Sequence, residues 1–379
     1  MTDNISRRRV TYQHAVEYEV VTSPSVLDPQ NPSLLSVGKT EKARRFVVVD
    51  RNIERLYANE IRNYFSHHQI EAKIVSIPSG EENKTLENYL HIVRELDSFP
   101  INRRNEPIIA IGGGVLTDVA AFVASTYRRG LPHIKVPTTL MGYVDASIGI
   151  KNGINFNGNK NRLGAFAPPQ KVFLDKTFLK TLPRRHLLNG VCEIIKLAVI
   201  KDAELFHLLE MHGTQSIEAQ FQNDEGDLIL DSAIHGMLEE LQPNLFEDDL
   251  MRRVDFGHTF SYGLETRNQT DLLHGEAVLL DMIVSALIAR ARQLLSEEDT
   301  NRIFQLTARL GISLDTDILD PSQLWQSLEE RTYHRDGLQR VPLPHGIGSC
   351  VFVNDINMKE IESAVKILED WIIINYDHA

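Results

Sequence analysis

Two cysteines, Cys192 and Cys350, are all that a chain of 379 residues carries, and they lie far apart. Such scarcity argues against a disulfide framework and against a cysteine-ligated metal site, and it fits a reducing compartment. Excess positive charge is missing as well: 40 Lys and Arg against 52 Asp and Glu leave a formal net charge of -12. So acidic a chain has no broad basic surface to neutralise nucleic-acid phosphates or an anionic membrane, and neither partner is expected. Any phosphate it handles must be held locally. Long apolar runs are absent too, since the stretch Ala277 to Ala289 is interrupted by Asp281 and falls short of a membrane span. Arg7, Arg8 and Arg9 have no apolar core behind them, unlike a secretory signal. The expectation is a cytoplasmic protein.

What is present reads as two domains, for which a chain of this length and 42% hydrophobic content suffices. From Arg45 to about Lys180, short β-branched runs alternate with amphipathic segments, the pattern of an α/β fold with a parallel sheet. Phe46 to Asp50 and Pro107 to Ile111 are the clearest strands. From Leu182 onward helical spacing dominates, over Asn189 to Met211, Leu228 to Leu241 and Gly275 to Leu295. The shift in character sets the domains at 1–181 and 182–379.

Three clusters of residues carry chemistry. After the strand ending at Ile111 come Gly112, Gly113 and Gly114, then Val115 to Asp118 opening an apolar helix. Glycines let a backbone approach a pyrophosphate, and a helix N-terminus offers free N–H groups; the same residues also serve as a plain tight turn. Asp50, closing an earlier strand with Asn52 behind it, is placed to accept ribose hydroxyls or simply to make a turn. The second cluster, Asp145 to Asn155 and Gly158 to Gly164, is dense in Gly, Asn and Lys and reads as loop. Lys151, Lys160, Asn161 and Arg162 could surround a phosphate there, and Asp145 could hold a lysine or a ribose hydroxyl. Third, Glu193, His258 and His274 offer a carboxylate and two imidazoles, a three-ligand set that leaves positions open for substrate. Most of the fourteen histidines need no such role, but these two stand beside glycines in the helical half. Ligand type favours zinc, with iron or cobalt as alternatives. Helical spacing puts Asn189, Glu193 and Lys196 on one stripe, His258, Ser261, Tyr262 and Glu265 on another, and His274 with Asp281 on a third.

The glycine turn with Val115 and Asp118, Pro137-Thr138-Thr139-Leu140, Asp145 with Lys151, Lys160-Asn161, Glu193 with Lys196, Gly257-His258-Thr259 and His274-Gly275-Glu276-Ala277-Val278 together resemble the dehydroquinate synthase superfamily. The resemblance runs from about Asp50 to about Gly348. It implies a Rossmann-like NAD-binding α/β domain, a helical metal-binding domain, an active site between them and a homodimer. By the same resemblance Asp50, Asn52, Glu81, Lys84, Gly113, Gly114, Val115, Asp118, Thr138, Thr139, Asp145, Lys151, Lys160, Thr181 and Leu182 would bind NAD. Glu193, His258 and His274 would hold Zn2+ or Co2+. Lys196, Lys151, Asp145, Lys160, Asn161, Asp255 and Tyr262 would serve catalysis, and Arg129 would reach the substrate phosphate, of the neighbouring subunit in a dimer.

Departures point to a branch. Dehydroquinate synthases carry Asn where this chain has Asp255, His where it has Tyr262, and Arg near Met251. A carboxylate gained and a guanidinium lost disfavour a carboxylate-bearing substrate. Pro243-Asn244-Leu245, Asp281 and Arg335-Asp336-Gly337 look like the sedoheptulose 7-phosphate cyclases. Within them 2-epi-5-epi-valiolone synthase is the expectation, ahead of 2-epi-valiolone and desmethyl-4-deoxygadusol synthases. A 3-dehydroquinate synthase, a metal-dependent polyol dehydrogenase and a non-enzymatic nucleotide or sugar-phosphate sensor are the other readings.

Overall fold

The computed structural model describes residues 7–13, 15–35, 44–267 and 272–376. Its first half is built on strands β1 (Glu19–Thr22), β2 (Arg45–Asp50), β3 (Ala72–Ile77), β4 (Ile108–Gly112), β5 (His133–Pro137) and β8 (Lys171–Leu174). They form one sheet in the order β1-β8-β5-β4-β2-β3, parallel throughout. Every residue of β2, β4 and β5 is buried, because helices cover both faces and continuous β-branched runs satisfy both at once. Helices α1 (Arg51–His67), α2 (Leu86–Ser98) and α3 (Gly114–Thr126) are the crossovers, and Asp50 and Thr85 cap the first two with side-chain oxygens. The crossings put the ends of β2 and β4 side by side, so Asp50 Oδ2 faces Gly112, where a Cβ would meet it at 2.9 Å.

The segment read as an irregular loop is an antiparallel hairpin, β6 (Lys151–Phe156) and β7 (Asn159–Phe166). Its glycines hid the strand signal, yet they are what lets the two backbones meet. A Cβ on Gly153 would lie 2.7 Å from Leu163 O, and one on Gly164 would lie 2.6 Å from Asn152 O. Gly164→Val is therefore expected to destabilise the protein by about 1–3 kcal/mol, read as a lowered thermal midpoint. An unchanged midpoint would refute this closely paired register.

The second half is helical: α4 (Arg184–Ile200), α5 (Ala203–Glu218), α6 (Asp224–Leu241), α7 (Ser261–Arg267), α8 (His274–Ala291), α9 (Glu297–Arg309), α10 (Pro321–His334) and α11 (Met358–Tyr376). The apolar run from Asn189 to Met211 divides in two, because Asp202 leaves the helical path and caps α5 through Glu204 N and Leu205 N at 3.0 Å each. Strands β9 (Val341–Pro344) and β10 (Cys350–Val353) add a small hairpin. Helix α8 is buried over nearly its whole length, Gly275 to Ala289, and packs against α4, α7 and α11, which makes it the spine of this half. No helix among the described residues is long and apolar enough to cross a membrane.

Candidate active site

Helices α4 and α8 cross so closely that a Cβ on Gly275 would overlap Asn189 O at 2.1 Å, and Gly275 N donates to Asn189 Oδ1 at 2.6 Å. Close approach brings Glu193, one turn along α4, to His274 at the start of α8. His258, in the segment just before α7, completes the group. The three ligand atoms lie within 4.8 Å of one another. Glu193 Oε1 is 3.6 Å from His274 Nε2 and 4.0 Å from His258 Nε2. Each imidazole also has its other nitrogen engaged: His258 Nδ1 is 3.1 Å from Phe256 O and His274 Nδ1 is 3.1 Å from Glu265 Oε1. With Nδ1–H so used, both Nε2 lone pairs are left for the space that Glu193 faces.

The Glu193 carboxylate is fully buried and ion-paired with Lys196, yet neither oxygen accepts a hydrogen bond of ordinary geometry from a described residue. A buried carboxylate left so costs several kcal/mol unless a further cation satisfies it. One carboxylate and two imidazole lone pairs converging on one point are the donor set of an open divalent-metal site, so the residues fit the ion that the sequence implied. Burial lowers the His258 pKa well below its usual range, and the charge of Lys196 adds to the effect, which leaves a neutral ligand. Burial also opposes charge on Lys196, but Glu193 and Asp145 outweigh it and keep the ammonium protonated.

The predicted cofactor residues gather along the C-terminal edge of the sheet. Gly113 caps α3 with its backbone alone, and a Cβ there would touch Thr139 at 3.1 Å. Thr138 N bonds Gly112 O at 3.0 Å, and Val115 stands half-buried in the first turn of α3. Asp50 spends Oδ1 on capping α1, while Asn52 bonds Ser79 Oγ at 2.9 Å. Lys84 Nζ bridges Asp118 Oδ2 and Asn161 Oδ1 at 2.6 Å each, and Glu81 accepts from Asn155 at 2.8 Å, so the hairpin is tied to the glycine turn. Thr181 Oγ1 meets the Tyr57 hydroxyl at 2.8 Å, with Leu182 half-buried beside it.

From the other side the hairpin reaches the helical half. Lys151 pairs with Glu247 at 3.0 Å, Lys160 pairs with Glu265, and the Tyr262 hydroxyl donates to Asn159 Oδ1 at 3.3 Å. Asp145, in the turn Gly142–Ala146, acts electrostatically on both Glu193 and Lys196. Arg129 stands apart: it lies beyond the far end of α3, a 13-residue helix about 20 Å long, from the glycine turn.

Asp255 corrects a sequence argument. Its carboxylate is buried, but Arg335 lies at 2.5 Å, Arg331 at 3.3 Å and Arg252 at 3.3 Å. Burial alone would raise its pKa; the three guanidinium charges instead hold it well below the usual carboxylate range. Its negative charge is more than matched, so like-charge repulsion from Asp255 is not what would turn away a carboxylate-bearing substrate. Arg331 also donates to His258 O at 2.7 Å, fixing the backbone of a ligand. Asp281 is structural as well: from α8 it accepts Phe260 N and, at 2.9 Å, Ser261 N, while burial pushes its carboxyl up to about 6. Arg331 escaped the reading of the sequence, and Glu265, placed there on the stripe of His258, was given no role.

The pattern described as 3-dehydroquinate synthase N-terminal matches residues 74–189, and that described as 3-dehydroquinate synthase C-terminal matches residues 190–332. The chain belongs to the dehydroquinate synthase family. Among relatives of this family member, the 2-epi-5-epi-valiolone synthase of Streptomyces albus is 48% identical over 94% of the chain and 89% of its own length. The demethyl-4-deoxygadusol synthase of Trichormus variabilis is 39% identical over 92% of the chain and 87% of its own length. A solved structure, ValA, the 2-epi-5-epi-valiolone synthase of Streptomyces hygroscopicus subsp. jinggangensis with NAD+ and Zn2+ bound, superposes with a TM-score of 0.92 at 42% identity. The match covers 96% of this chain and 100% of that one. The α/β domain followed by a helical domain, as expected from the residues, is the fold that these proteins share.

Proposed function

We propose that the chain is a sugar-phosphate cyclase that converts sedoheptulose 7-phosphate to 2-epi-5-epi-valiolone with loss of phosphate, a carbon–oxygen lyase using NAD and Zn2+ or Co2+. The observation that carries this reading is the convergence of Glu193, His258 and His274 beside a protonated Lys196, in a chain that shares nearly its whole fold with a relative holding NAD+ and Zn2+.

Glu193, His258 and His274 would hold the ion. Gly113, Gly114, Val115, Asp118, Thr138 and Thr139 would receive the dinucleotide, with Asp50 and Asn52 at a ribose and Glu81, Lys84, Thr181 and Leu182 around it. The dinucleotide supplies a hydride acceptor that returns its hydride within the turnover, and the ion supplies a Lewis acid for a carbinol oxygen. Lys196 carries its proton at Nζ in the resting site, kept there by Glu193 and Asp145, and can hand it to an oxygen in the cleft and recover it. Lys151, Lys160 and Asn161 are the cationic and amide donors for the departing phosphate. An ammonium has three N–H groups, so Lys160 can keep Glu265 and still donate to a phosphate oxygen. Tyr262 borders the sugar, while Asp255, enclosed by Arg252, Arg331 and Arg335, supports the site through Arg331 and the His258 backbone. Arg129, remote from its own glycine turn, would serve the site of a partner subunit in a cytoplasmic homodimer. A division at 181/182 would leave every proposed cofactor residue except Leu182 on one side and the ion ligands on the other.

The test is incubation of the purified protein with NAD, Zn2+ or Co2+ and either sedoheptulose 7-phosphate or the dehydroquinate synthase substrate, following phosphate and identifying the product by NMR. Release from the heptulose with 2-epi-5-epi-valiolone as product is the expected result. The demethyl-4-deoxygadusol skeleton would redirect the reading to the 39% identical relative's activity. Release only from the carboxylated substrate would return the chain to the 3-dehydroquinate synthases, and stoichiometric NADH would make it a polyol dehydrogenase.

A further inference from the structure

Glu265 is neither an ion ligand nor a substrate contact in the reading above, yet it is built into the site. Its side chain is 6% exposed, on α7. Oε1 faces His274 Nδ1 at 3.1 Å, and Oε2 is ion-paired with Lys160 Nζ. His274 in turn presents Nε2 to Glu193 at 3.6 Å. An unbroken series Lys160–Glu265–His274–Glu193 therefore runs from the β6–β7 hairpin of the first half into the ligand trio of the second.

A carboxylate on Nδ1 does two things to an imidazole: it selects the tautomer with a free Nε2 lone pair, and it stops the ring from turning. His258 gains the same from the Phe256 carbonyl, which the backbone fixes. His274 is different, because it begins α8 and its side chain is 36% exposed, with no carbonyl on Nδ1. Its orientation depends on a side chain. Were Glu265 only a counter-ion for Lys160, one oxygen would suffice; the carboxylate is instead shared between the lysine and the imidazole.

We propose that Glu265 is a positioning residue that orients the His274 imidazole toward the divalent ion with one oxygen and anchors Lys160 beside the same site with the other. The inference rests on the metal reading of the trio. It joins the metal ligands of the helical half to the hairpin of the α/β half, so that ion binding and the placement of Lys160 share one carboxylate.

Cobalt titration of the full-length protein tests it, with the visible d–d absorption followed and the affinity set by competition with a chelator. Glu265→Gln keeps the size but loses the charge and one acceptor; it is expected to bind Co2+ roughly 10- to 100-fold more weakly, with a shifted absorption band and unchanged circular dichroism. Glu265→Asp, which withdraws the carboxylate by one methylene, should fall between the two. Lys160→Met leaves the bond to His274 and should change Co2+ affinity less than about threefold. Parent-level affinity and spectrum in Glu265→Gln would overturn the proposal. So would parent-level affinity in Glu265→Asp, which would make charge rather than placement the active property. A loss in Lys160→Met equal to that in Glu265→Gln would also overturn it, by tracing the effect to the ion pair. A parent protein that takes up no cobalt would defeat the metal reading itself, which separates that failure from the others.

Discussion

Phosphate release by a His274→Ala variant is expected to fall by roughly 10³-fold or more, because a Lewis acid at a developing alkoxide supplies on the order of 4 kcal/mol and each 1.36 kcal/mol is tenfold in rate. The variant should also be purified without stoichiometric zinc or cobalt, since Glu193 and His258 alone leave two protein ligands where catalytic sites of this type use three. Folding should survive. The His274 side chain is 36% exposed, and among the described residues it pairs with Glu193, Glu265 and the His258 ring, none of which belongs to the six-stranded sheet. Metal analysis by mass spectrometry together with phosphate release at saturating NAD distinguishes the outcomes. Full activity in His274→Ala would end the metal assignment, whereas lost activity with metal retained would move His274 from ligand to proton handling.

Asp255→Asn is expected to produce the largest loss of stability, about 3–5 kcal/mol, because breaking a buried ion network leaves uncompensated charge. Arg252, Arg331 and Arg335 converge on this carboxylate, and an amide retains an acceptor but no charge. The sign of the pH effect follows from the direction of the shift. A carboxylate held below its unfolded pKa adds stability that is fully present above that unfolded value, near 4, and is lost as pH falls below it. The gap in urea stability between the parent and Asp255→Asn, followed from pH 7 to pH 3, should therefore begin to narrow below about pH 4, the remainder closing only toward the depressed folded pKa. A gap that stays constant would show that packing, and not charge, makes Asp255 important. Since Arg331 also holds His258 O, the variant should lose metal affinity at neutral pH as well.

The glycine turn, the ligand trio and the change from parallel sheet to helical bundle were legible in the sequence for the same reason. Each is written locally: a buried strand as a β-branched run, a tight strand-to-helix turn as three glycines, a helix as apolar spacing, and each member of the trio as a carboxylate or imidazole in its own short motif. Where a local cue had two meanings, the reading went astray. Gly153 and Gly164 look like loop residues but allow two strands to touch, and the run from Asn189 to Met211 concealed the cap at Asp202. The role of Asp255 was out of reach altogether, since its partners Arg331 and Arg335 lie 76 and 80 residues downstream.

By itself, then, the sequence determined which residues are chemically equipped: one carboxylate and two imidazoles for an ion, glycines before a helix for a dinucleotide, and lysines in an acidic chain for a phosphate. Only the tertiary structure decided how they are partnered. It split Glu265 between Lys160 and His274, surrounded Asp255 with three guanidinium groups, and left Glu193 Oε1 facing the Nε2 atoms of two imidazoles. Residue type sets what a side chain can donate, accept or ligate. Its charge state and orientation depend on burial and on neighbours, some of them more than 70 residues away in the chain, that come together only once α4, α7, α8, α10 and the hairpin have packed.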